Sequence, residues 1–333
     1  MPKVSTEPAD LPASYAAGVR LGYRDLPEQV KDWIADQLAA PINQVIDRRG
    51  GFSPGAAATV HAEDGSGLFI KAVTDAINVD SLQIYRNERD RGVRLPRRFG
   101  ILKPTGSIEL IVNDQQWIVI TFPLLGGTPP QHPWSAADAL RCLDLASRLA
   151  SELTPSPWPE DPDETRSMIS FLSGWQKVAA DETDPWHSAV GDRLEDLVKA
   201  EQEMLTALPG DTLSHYDLRA DNIMITEQEE VWFVDWAHAR NTASWFDALV
   251  LIADIISSGA DLADGGEIDV AALLETHPAC SAAPWQTKIT FLSSLAATLH
   301  AGSRRPSAPG LPTIRSWQGL TAERILRFVR RVS

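Results

Sequence analysis

Four polar residues of the types that bind metal ions and transfer protons lie close together in the chain: His215, Asp217, Asn222 and Asp235. Two short apolar runs, residues 222–226 and 231–234, flank an acidic stretch, and this pattern predicts a β-hairpin. Closing the hairpin would bring Asn222 and Asp235 together at its ends. An amide oxygen and a carboxylate at adjacent strand ends suit Mg²⁺, which binds few protein oxygens. The stretch therefore predicts a magnesium site.

Asp217 lies five residues before Asn222 and is available for a different task. It can accept a proton from a hydroxyl that attacks the far side of a bound phosphate. The spacing His-x-Asp-x-x-x-x-Asn, followed thirteen residues later by Asp, is the phosphoryl-transfer arrangement of protein-kinase-like enzymes. Any one of these residues could be only a turn former, but all of them at these spacings favour a catalytic loop.

Residues 215–222, His-Tyr-Asp-Leu-Arg-Ala-Asp-Asn, together with Val234-Asp235-Trp236, resemble the aminoglycoside phosphotransferase and choline kinase family. Protein kinases have Asp-Phe-Gly where this chain has Asp235-Trp236-Ala237. The resemblance implies an α+β, bilobal protein-kinase-like fold, with a small N-terminal antiparallel-sheet lobe and a larger, mainly helical C-terminal lobe. It also implies an enzyme that transfers the γ-phosphate of ATP to a hydroxyl group.

A lysine interrupts the apolar strand predicted at residues 68–73. Lys71, between Ile70 and Ala72, must find a counter-charge or carry its ammonium group to a cleft. Glu88, seventeen residues later in a predicted helix, is the candidate partner, and one more exposed acid among arginines is the alternative. The resemblance implies that this pair positions the α- and β-phosphates of the nucleotide.

A glycine-rich turn joins the strands predicted at residues 42–47 and 57–63. Its small residues are Gly50, Gly51, Ser53 and Gly55. Small residues between two strands let backbone amides approach an anion closely, as nucleotide phosphates require. We therefore expect this turn to cover the phosphates, with an ordinary hairpin turn as the alternative.

Further strands at residues 108–112 and 117–122 would complete a five-stranded antiparallel sheet. We expect three regions: an N-terminal extension at residues 1–23 that has no sustained periodicity, a nucleotide-binding N-lobe at residues 24–124, and a helical C-lobe at residues 125–333 with the catalytic loop and the acceptor site. In the resembled family the segment between the lobes contacts the adenine through its backbone. Side chains do not report backbone contacts, so the sequence leaves ATP and GTP both open.

The C-lobe segments have helical periodicity. A helix is predicted from a Ser135 cap, and others at residues 164–180, 188–208 and 285–300, with a final basic helix at residues 313–332. For Asp247, at the start of an apolar helix, there are two interpretations. It braces the catalytic loop, as in the resembled family, or it only caps the helix.

Composition restricts the partners of the chain. A formal charge of −15 over 333 residues argues against nucleic acid or an anionic membrane as a partner. No run of eighteen apolar residues and no basic, apolar N-terminal leader is present, so we expect a cytoplasmic protein. Cys142 and Cys280, the only cysteines, are too few for a disulfide framework. Nothing in the sequence indicates an oligomeric state.

Residues 151–210 hold thirteen acidic and four basic side chains. In the resembled family, helices inserted at this point line the acceptor site, where carboxylates would attract a cation, whereas a solvated face is the alternative. We expect a small, hydroxylated, cationic acceptor, most directly an aminoglycoside or another basic antibiotic. Choline, a sugar or an amino acid would need the same nucleotide machinery. Tyr216, where antibiotic kinases commonly have glycine, leaves the acceptor class open.

The remaining polar residues of the loop receive supporting roles. His215 is expected to stabilise the loop through hydrogen bonds, and Arg219 either contacts the γ-phosphate or only packs. The alternative hypothesis from another functional class is a non-catalytic, nucleotide-binding pseudokinase or scaffold. Such a protein would typically have lost one of four residues, and all four are retained: Lys71, Asp217, Asn222 and Asp235.

Overall fold

The computed structural model describes residues 3–6, 20–48, 53–306 and 311–333 of the chain. Gly50 and Gly51 of the glycine-rich turn lie outside these described residues. The chain forms two compact units. The first comprises the described residues within Met1–Pro129, Asp221–His238 and Ala308–Thr313, and the second those within Pro130–Ala220, Ala239–Ser307 and Ile314–Ser333.

The strands of the described chain are short. They are β1 (Lys3–Thr6), β2 (Ile42–Asp47), β3 (Ala56–Ala62), β4 (Gly67–Thr74), β5 (Gly106–Val112), β6 (Gln115–Pro123), β7 (Thr212–Ser214), β8 (Ile223–Ile225), β9 (Val231–Phe233) and β10 (Arg240–Thr242).

The α-helices lie mainly in the second unit. They are α1 (Glu28–Asp36), α2 (Val79–Arg94), α3 (Ala136–Glu152), α4 (Pro162–Leu172), α5 (Gly174–Ala179), α6 (Pro185–Val190), α7 (Leu194–Leu205), α8 (Phe246–Ser257), α9 (Val270–Thr276), α10 (Trp285–Ser303) and α11 (Ile314–Val332).

The first unit contains a six-stranded sheet in the order β1-β2-β3-β4-β6-β5. The five predicted strands form its antiparallel part. Strand β1 adds to the edge in parallel with β2 and was not predicted, because four residues are too few to give a sustained alternation.

Alternation along β4 decides which way its lysine faces. Ile70 and Ala72 belong to an apolar cluster with Val30 and Ile34 of α1, whereas Val73 belongs to a cluster with helix α2. Successive side chains of a strand point to opposite faces. Lys71 therefore shares the α2 face of the sheet with Val73, which is the face where Glu88 is available.

The hairpin predicted from the sequence is present in the first unit. Strands β8 and β9 pair antiparallel with Ile223 opposite Phe233, and the Val234 amide continues the ladder by donating to the Asn222 carbonyl oxygen at 2.9 Å. The segment after β6 lies against this hairpin, where a Cβ atom on Gly127 would be only 2.5 Å from the Ile225 carbonyl oxygen. Glycine is required there because the two backbones approach so closely.

The second unit is helical apart from the antiparallel pair β7–β10. Helix α3 begins at the predicted cap, where the Ser135 hydroxyl accepts the Asp138 amide. The two long helices predicted at residues 164–180 and 188–208 are each broken. Gly174 begins α5 where a Cβ atom would be 2.3 Å from the Thr298 amide nitrogen, and Gly191 has a positive φ of 52° between α6 and α7. Close packing and a left-handed residue thus interrupt otherwise helical periodicity.

The basic final helix, α11, makes ion pairs within its own unit. Arg331 lies 2.6 Å from Asp261, Arg327 lies 3.5 Å from Asp264, and Arg324 donates to the Ser257 carbonyl oxygen. Within the described residues, none of the helices combines the length and the apolar character needed to cross a bilayer.

Candidate active site

Three charged residues that are remote in sequence meet on the α2 face of the sheet. The Lys71 ammonium group lies 2.8 Å from both carboxylate oxygens of Glu88 and 2.9 Å from Oδ2 of Asp235. Glu88 is only 2% exposed, whereas the Asp235 side chain is 37% exposed. Strand β4 supplies the lysine, helix α2 the glutamate, and the segment after β9 the aspartate. The predicted Lys71–Glu88 pair is therefore present, and Asp235 joins it.

This cluster contains one cation and two carboxylates. Burial alone would lower the pKa of Lys71, but the carboxylates of Asp235 and Glu88 outweigh it and hold that pKa above its usual range. Burial, reinforced by repulsion from Asp235, raises the pKa of Glu88 to about 7 against the attraction of Lys71. With Glu88 ionised the cluster carries one excess negative charge, and a further cation nearby would favour that ionised form.

The described part of the glycine-rich turn is tied to the same face through a tyrosine. Ser53 donates its hydroxyl to the Tyr85 hydroxyl oxygen at 3.0 Å and accepts the Gly55 amide at 3.2 Å. Lys71 Nζ is 5.6 Å from the centroid of the Tyr85 ring. A Cβ atom on Gly55 would lie 2.7 Å from the Tyr85 hydroxyl. Tight packing against Tyr85 therefore requires glycine at this position, independently of any contact with phosphate.

The hairpin β8–β9 places the two predicted metal ligands at the same end. Asn222 is buried and immediately precedes β8, and Asp235 follows β9 with a positive φ of 63°. Aspartate tolerates this left-handed conformation better than most residues. Helix α2 also contacts the segment after Asp235, because Arg91 donates to the Ala237 carbonyl oxygen. One helix thus contacts Lys71 through Glu88 and the turn after Asp235 through Arg91.

The loop at residues 215–220, in the second unit, carries the other predicted residues. His215 is fully buried, and its Nδ1 accepts the Asp217 amide at 3.4 Å. The Asp217 carboxylate, 34% exposed, is held by Arg219, with contacts of 3.3 Å from Nε and Nη2 to its two oxygens. The Arg219 guanidinium in turn lies 5.5 Å from the centroid of the Trp317 ring.

Tyr216 adopts a left-handed conformation with φ of 75°. The Tyr216 ring stacks on the Phe246 ring, with the two centroids 5.0 Å apart. The Arg240 guanidinium group also lies over the Tyr216 ring, 4.0 Å from its centroid. Asp247 accepts the amides of His215 and Tyr216 at 2.7 and 2.8 Å. Of the two interpretations of Asp247, the geometry supports bracing of the loop.

One buried acid near this loop was not found from the sequence. Asp254 lies in the apolar run of α8, and its Oδ2 accepts the Ala220 amide at 3.1 Å and the Trp134 indole N–H at 2.9 Å. His132 Nε2 is 3.3 Å from the same oxygen. No local spacing links these residues, so only the folded chain brings them together.

Comparisons with known proteins support the fold described above. Among solved structures, the chain is similar to a macrolide 2'-phosphotransferase from Brachybacterium faecium, with 15% identity, 89% of this chain and 98% of that chain covered, and a TM-score of 0.53. A choline kinase from Streptococcus pneumoniae is 11% identical, with 91% of this chain and 98% of that chain covered and a TM-score of 0.53. A spectinomycin phosphotransferase, solved with ADP and spectinomycin, is 12% identical, with 91% of this chain and 98% of that chain covered and a TM-score of 0.55.

At these identities the similarity shows a shared fold, and it confirms the predicted α+β, protein-kinase-like fold. The search of curated proteins gave no significant match. The profile of the phosphotransferase enzyme family matches residues 80–282, more than half of the chain. The chain therefore belongs to the phosphotransferase enzyme family, and the phosphotransferase predicted from the loop at residues 215–222 is confirmed.

Proposed function

We propose that this phosphotransferase transfers the γ-phosphoryl group of ATP to a hydroxyl group of a small, cationic acceptor in the cytoplasm. In this proposal residues 24–124 bind the nucleotide, and residues 125–333 provide the catalytic loop and the acceptor site. The observation that carries it is the Lys71 ammonium group within 2.9 Å of carboxylates from both Glu88 and Asp235. A lysine held in this way, with 13% of its side chain exposed, is positioned to bind phosphate oxygens.

The nucleotide phosphates would be bound by the sheet of the first unit. Lys71 would bind the α- and β-phosphates, and Glu88 would fix the direction of its ammonium group. Ser53 and Gly55, with Gly50 and Gly51 of the same turn, would cover the phosphates through backbone amides. Removing water from these charges strengthens each of their interactions with the phosphate.

Asn222 and Asp235 fit a magnesium ion by the chemistry of their donor atoms. They offer an amide oxygen and a carboxylate at the same end of a hairpin, and Mg²⁺ is bound in such sites by one or two carboxylates together with water and phosphate. With Glu88 ionised, the lysine cluster carries one excess negative charge, which also suits a divalent cation. When bound, the ion would neutralise charge on the β- and γ-phosphates.

Asp217 would orient the acceptor hydroxyl and accept its proton as the phosphoryl group moves. His215 would hold the loop through the Asp217 amide, and Arg219 would neutralise the carboxylate or bind the γ-phosphate. Such groups contribute positioning and charge stabilisation, which dominate phosphoryl transfer.

The cationic acceptor is proposed from the acidic part of the second unit. A groove of about 340 Å³ is lined there by Glu160, Asp161 and Glu164, with Arg166 as its basic residue. A basic antibiotic such as an aminoglycoside would be attracted to this surface. A metabolite acceptor such as choline, a sugar or an amino acid is the second candidate, and Tyr216 in place of a glycine favours it.

The test is Mg²⁺-dependent ATP consumption by the purified chain with a panel of aminoglycosides, macrolides, choline, sugars and amino acids. We expect one class of acceptor to give a product that is heavier by one phosphoryl group in mass spectrometry. The same assay with GTP in place of ATP identifies the preferred phosphoryl donor. Asp217→Asn serves as the inactive control. Tight ATP binding without turnover on any acceptor would instead identify a nucleotide-binding scaffold.

A further inference from the structure

Helix α8 contains a carboxylate where its sequence is otherwise apolar. Asp254 is 6% exposed, and its neighbours Leu251, Ile252 and Ile255 are fully buried. Placing a carboxylate in such surroundings is costly unless hydrogen bonds compensate for the lost water. A single oxygen, Oδ2, meets this need by contacting Ala220, Trp134 and His132.

These contacts keep the Asp254 carboxylate ionised. Burial opposes ionisation, but His132, the Trp134 indole and the Ala220 amide hold the pKa of Asp254 below its usual range. A charged acceptor makes stronger and shorter hydrogen bonds to amides than a neutral one. The Ala220 amide is therefore bound more firmly than a neutral side chain would bind it.

The same helix also holds the other end of the loop. Asp247, seven residues before Asp254 and so about two turns away on the same side of α8, accepts the amides of His215 and Tyr216. Ala220 lies three residues after Asp217. The segment that carries Asp217 is thus held by one helix at both ends, through the partly buried carboxylate of Asp247 and the buried carboxylate of Asp254.

We propose that Asp254 is a positioning residue for phosphoryl transfer, which acts by fixing Ala220 and thereby the direction of the Asp217 carboxylate. The proposal rests on the proposed function, because it needs Asp217 to receive the acceptor proton. A loop held only at residues 215 and 216 would let Asp217 rotate away from the hydroxyl. Misplacement of a catalytic group by about 1 Å can lower a rate by about 10²-fold.

The ordinary alternative is that Asp254 only satisfies the Trp134 indole in the core. The variant Trp134→Phe separates the two roles, because it removes that donor and leaves the Ala220 contact in place. A second control is Asp261→Asn. Asp261 is also buried, accepts the Ala263 amide at 2.9 Å and pairs with Arg331 at 2.6 Å, but none of these residues belongs to the loop.

The experiment compares Asp254→Asn, Trp134→Phe and Asp261→Asn for steady-state kinetics and for hydrogen–deuterium exchange of a peptide spanning residues 213–222. We expect Asp254→Asn to lower kcat by roughly 10- to 100-fold with the KM for ATP nearly unchanged, and to speed exchange in this peptide. The two control variants are expected to keep kcat within about twofold of the wild-type value, even if their melting temperatures fall as much as that of Asp254→Asn.

Three results would overturn the inference. They are wild-type kcat in Asp254→Asn, an equal loss of kcat in Trp134→Phe, or unchanged exchange of residues 213–222 in Asp254→Asn. A wild-type chain that turns over no acceptor would instead refute the proposed function, and the catalytic role of Asp254 with it. If the wild type turns over an acceptor and Asp254→Asn does so at the same rate, this inference is refuted but the proposed function is not.

Discussion

Lys71 Nζ lies 2.9 Å from Oδ2 of Asp235, although the first residue belongs to an early strand and the second follows a late hairpin. Glu88 already provides the lysine with a bidentate partner, so Asp235 is not needed to neutralise it. With Glu88 ionised, a second carboxylate on one ammonium group leaves one net negative charge, at a place that water reaches because the Asp235 side chain is 37% exposed. A cation bound at Asp235 would balance this charge.

Replacing Lys71 by methionine should remove the ammonium contact with the nucleotide phosphates while retaining most of the side-chain volume. We expect the KM for ATP to rise by about tenfold or more and kcat to fall, because about 1.4 kcal/mol of lost phosphate interaction already corresponds to tenfold. ATP titration by isothermal calorimetry and steady-state kinetics measure both effects.

Lys31→Met is the matched control for Lys71→Met. Lys31 of α1, in the same unit, pairs with Glu28 at 2.9 Å and donates to the Arg24 carbonyl oxygen at 3.2 Å, and exposed pairs of this kind contribute little to stability. Its kinetic constants should equal those of the wild type. Unchanged KM and kcat for ATP in Lys71→Met would show that the lysine does not bind the phosphates.

Asp217→Ala should lower kcat by roughly 10² to 10⁴, the range for a lost general base, with little change in ATP affinity. Proton removal from the acceptor fails, whereas the nucleotide contacts of the first unit remain. Single-turnover kinetics and equilibrium ATP binding separate the two quantities. Asp192→Ala, at an exposed acid of the same unit, is the control, and full activity of the Asp217 variant would refute the assigned role.

Tyr216 allows a test of strain against packing. Glycine would relieve its left-handed backbone, which costs of order 1–3 kcal/mol for other residues, but would lose the ring between Phe246 and Arg240. Removal of a packed aromatic ring costs about 3–5 kcal/mol. Tyr216→Gly should therefore lower the free energy of unfolding by about 1–3 kcal/mol in urea denaturation, whereas Tyr216→Phe should stay close to wild type. A glycine variant more stable than wild type would mean that strain outweighs packing.

Much of the first unit could be predicted because its signals are local. The alternation of β4 directs Lys71 to one face, and the 3.6-residue period of α2 places Leu82, Tyr85 and Glu88 on one side. A single hairpin links Asn222 to Asp235. Each of these relationships depends on chain geometry over a few residues, so the sequence contains it.

The parts that were missed depend on tertiary contacts. Asp254 looks like an interruption of an apolar helix until the fold brings it the Trp134 indole and the Ala220 amide. The break before α5 follows from contact of Gly174 with the backbone of α10, which the helical period of residues 164–180 does not contain. Long-range packing decided these features, and local propensity could not reveal them.

Glu88 gives the wild type a distinct dependence of stability on pH. Between its ordinary pKa of 4.5 and the value of about 7 that burial and Asp235 produce, the folded protein retains a proton that the unfolded chain has released. The free energy of unfolding contributed by this group is therefore full below pH 4.5 and falls as the pH rises towards 7. In Glu88→Gln this fall should be absent, so urea denaturation across the window in EDTA should give a flatter profile than the wild type. Asp261→Asn, in the second unit, should retain the wild-type slope, and parallel profiles for wild type and Glu88→Gln would show that Glu88 does not titrate there.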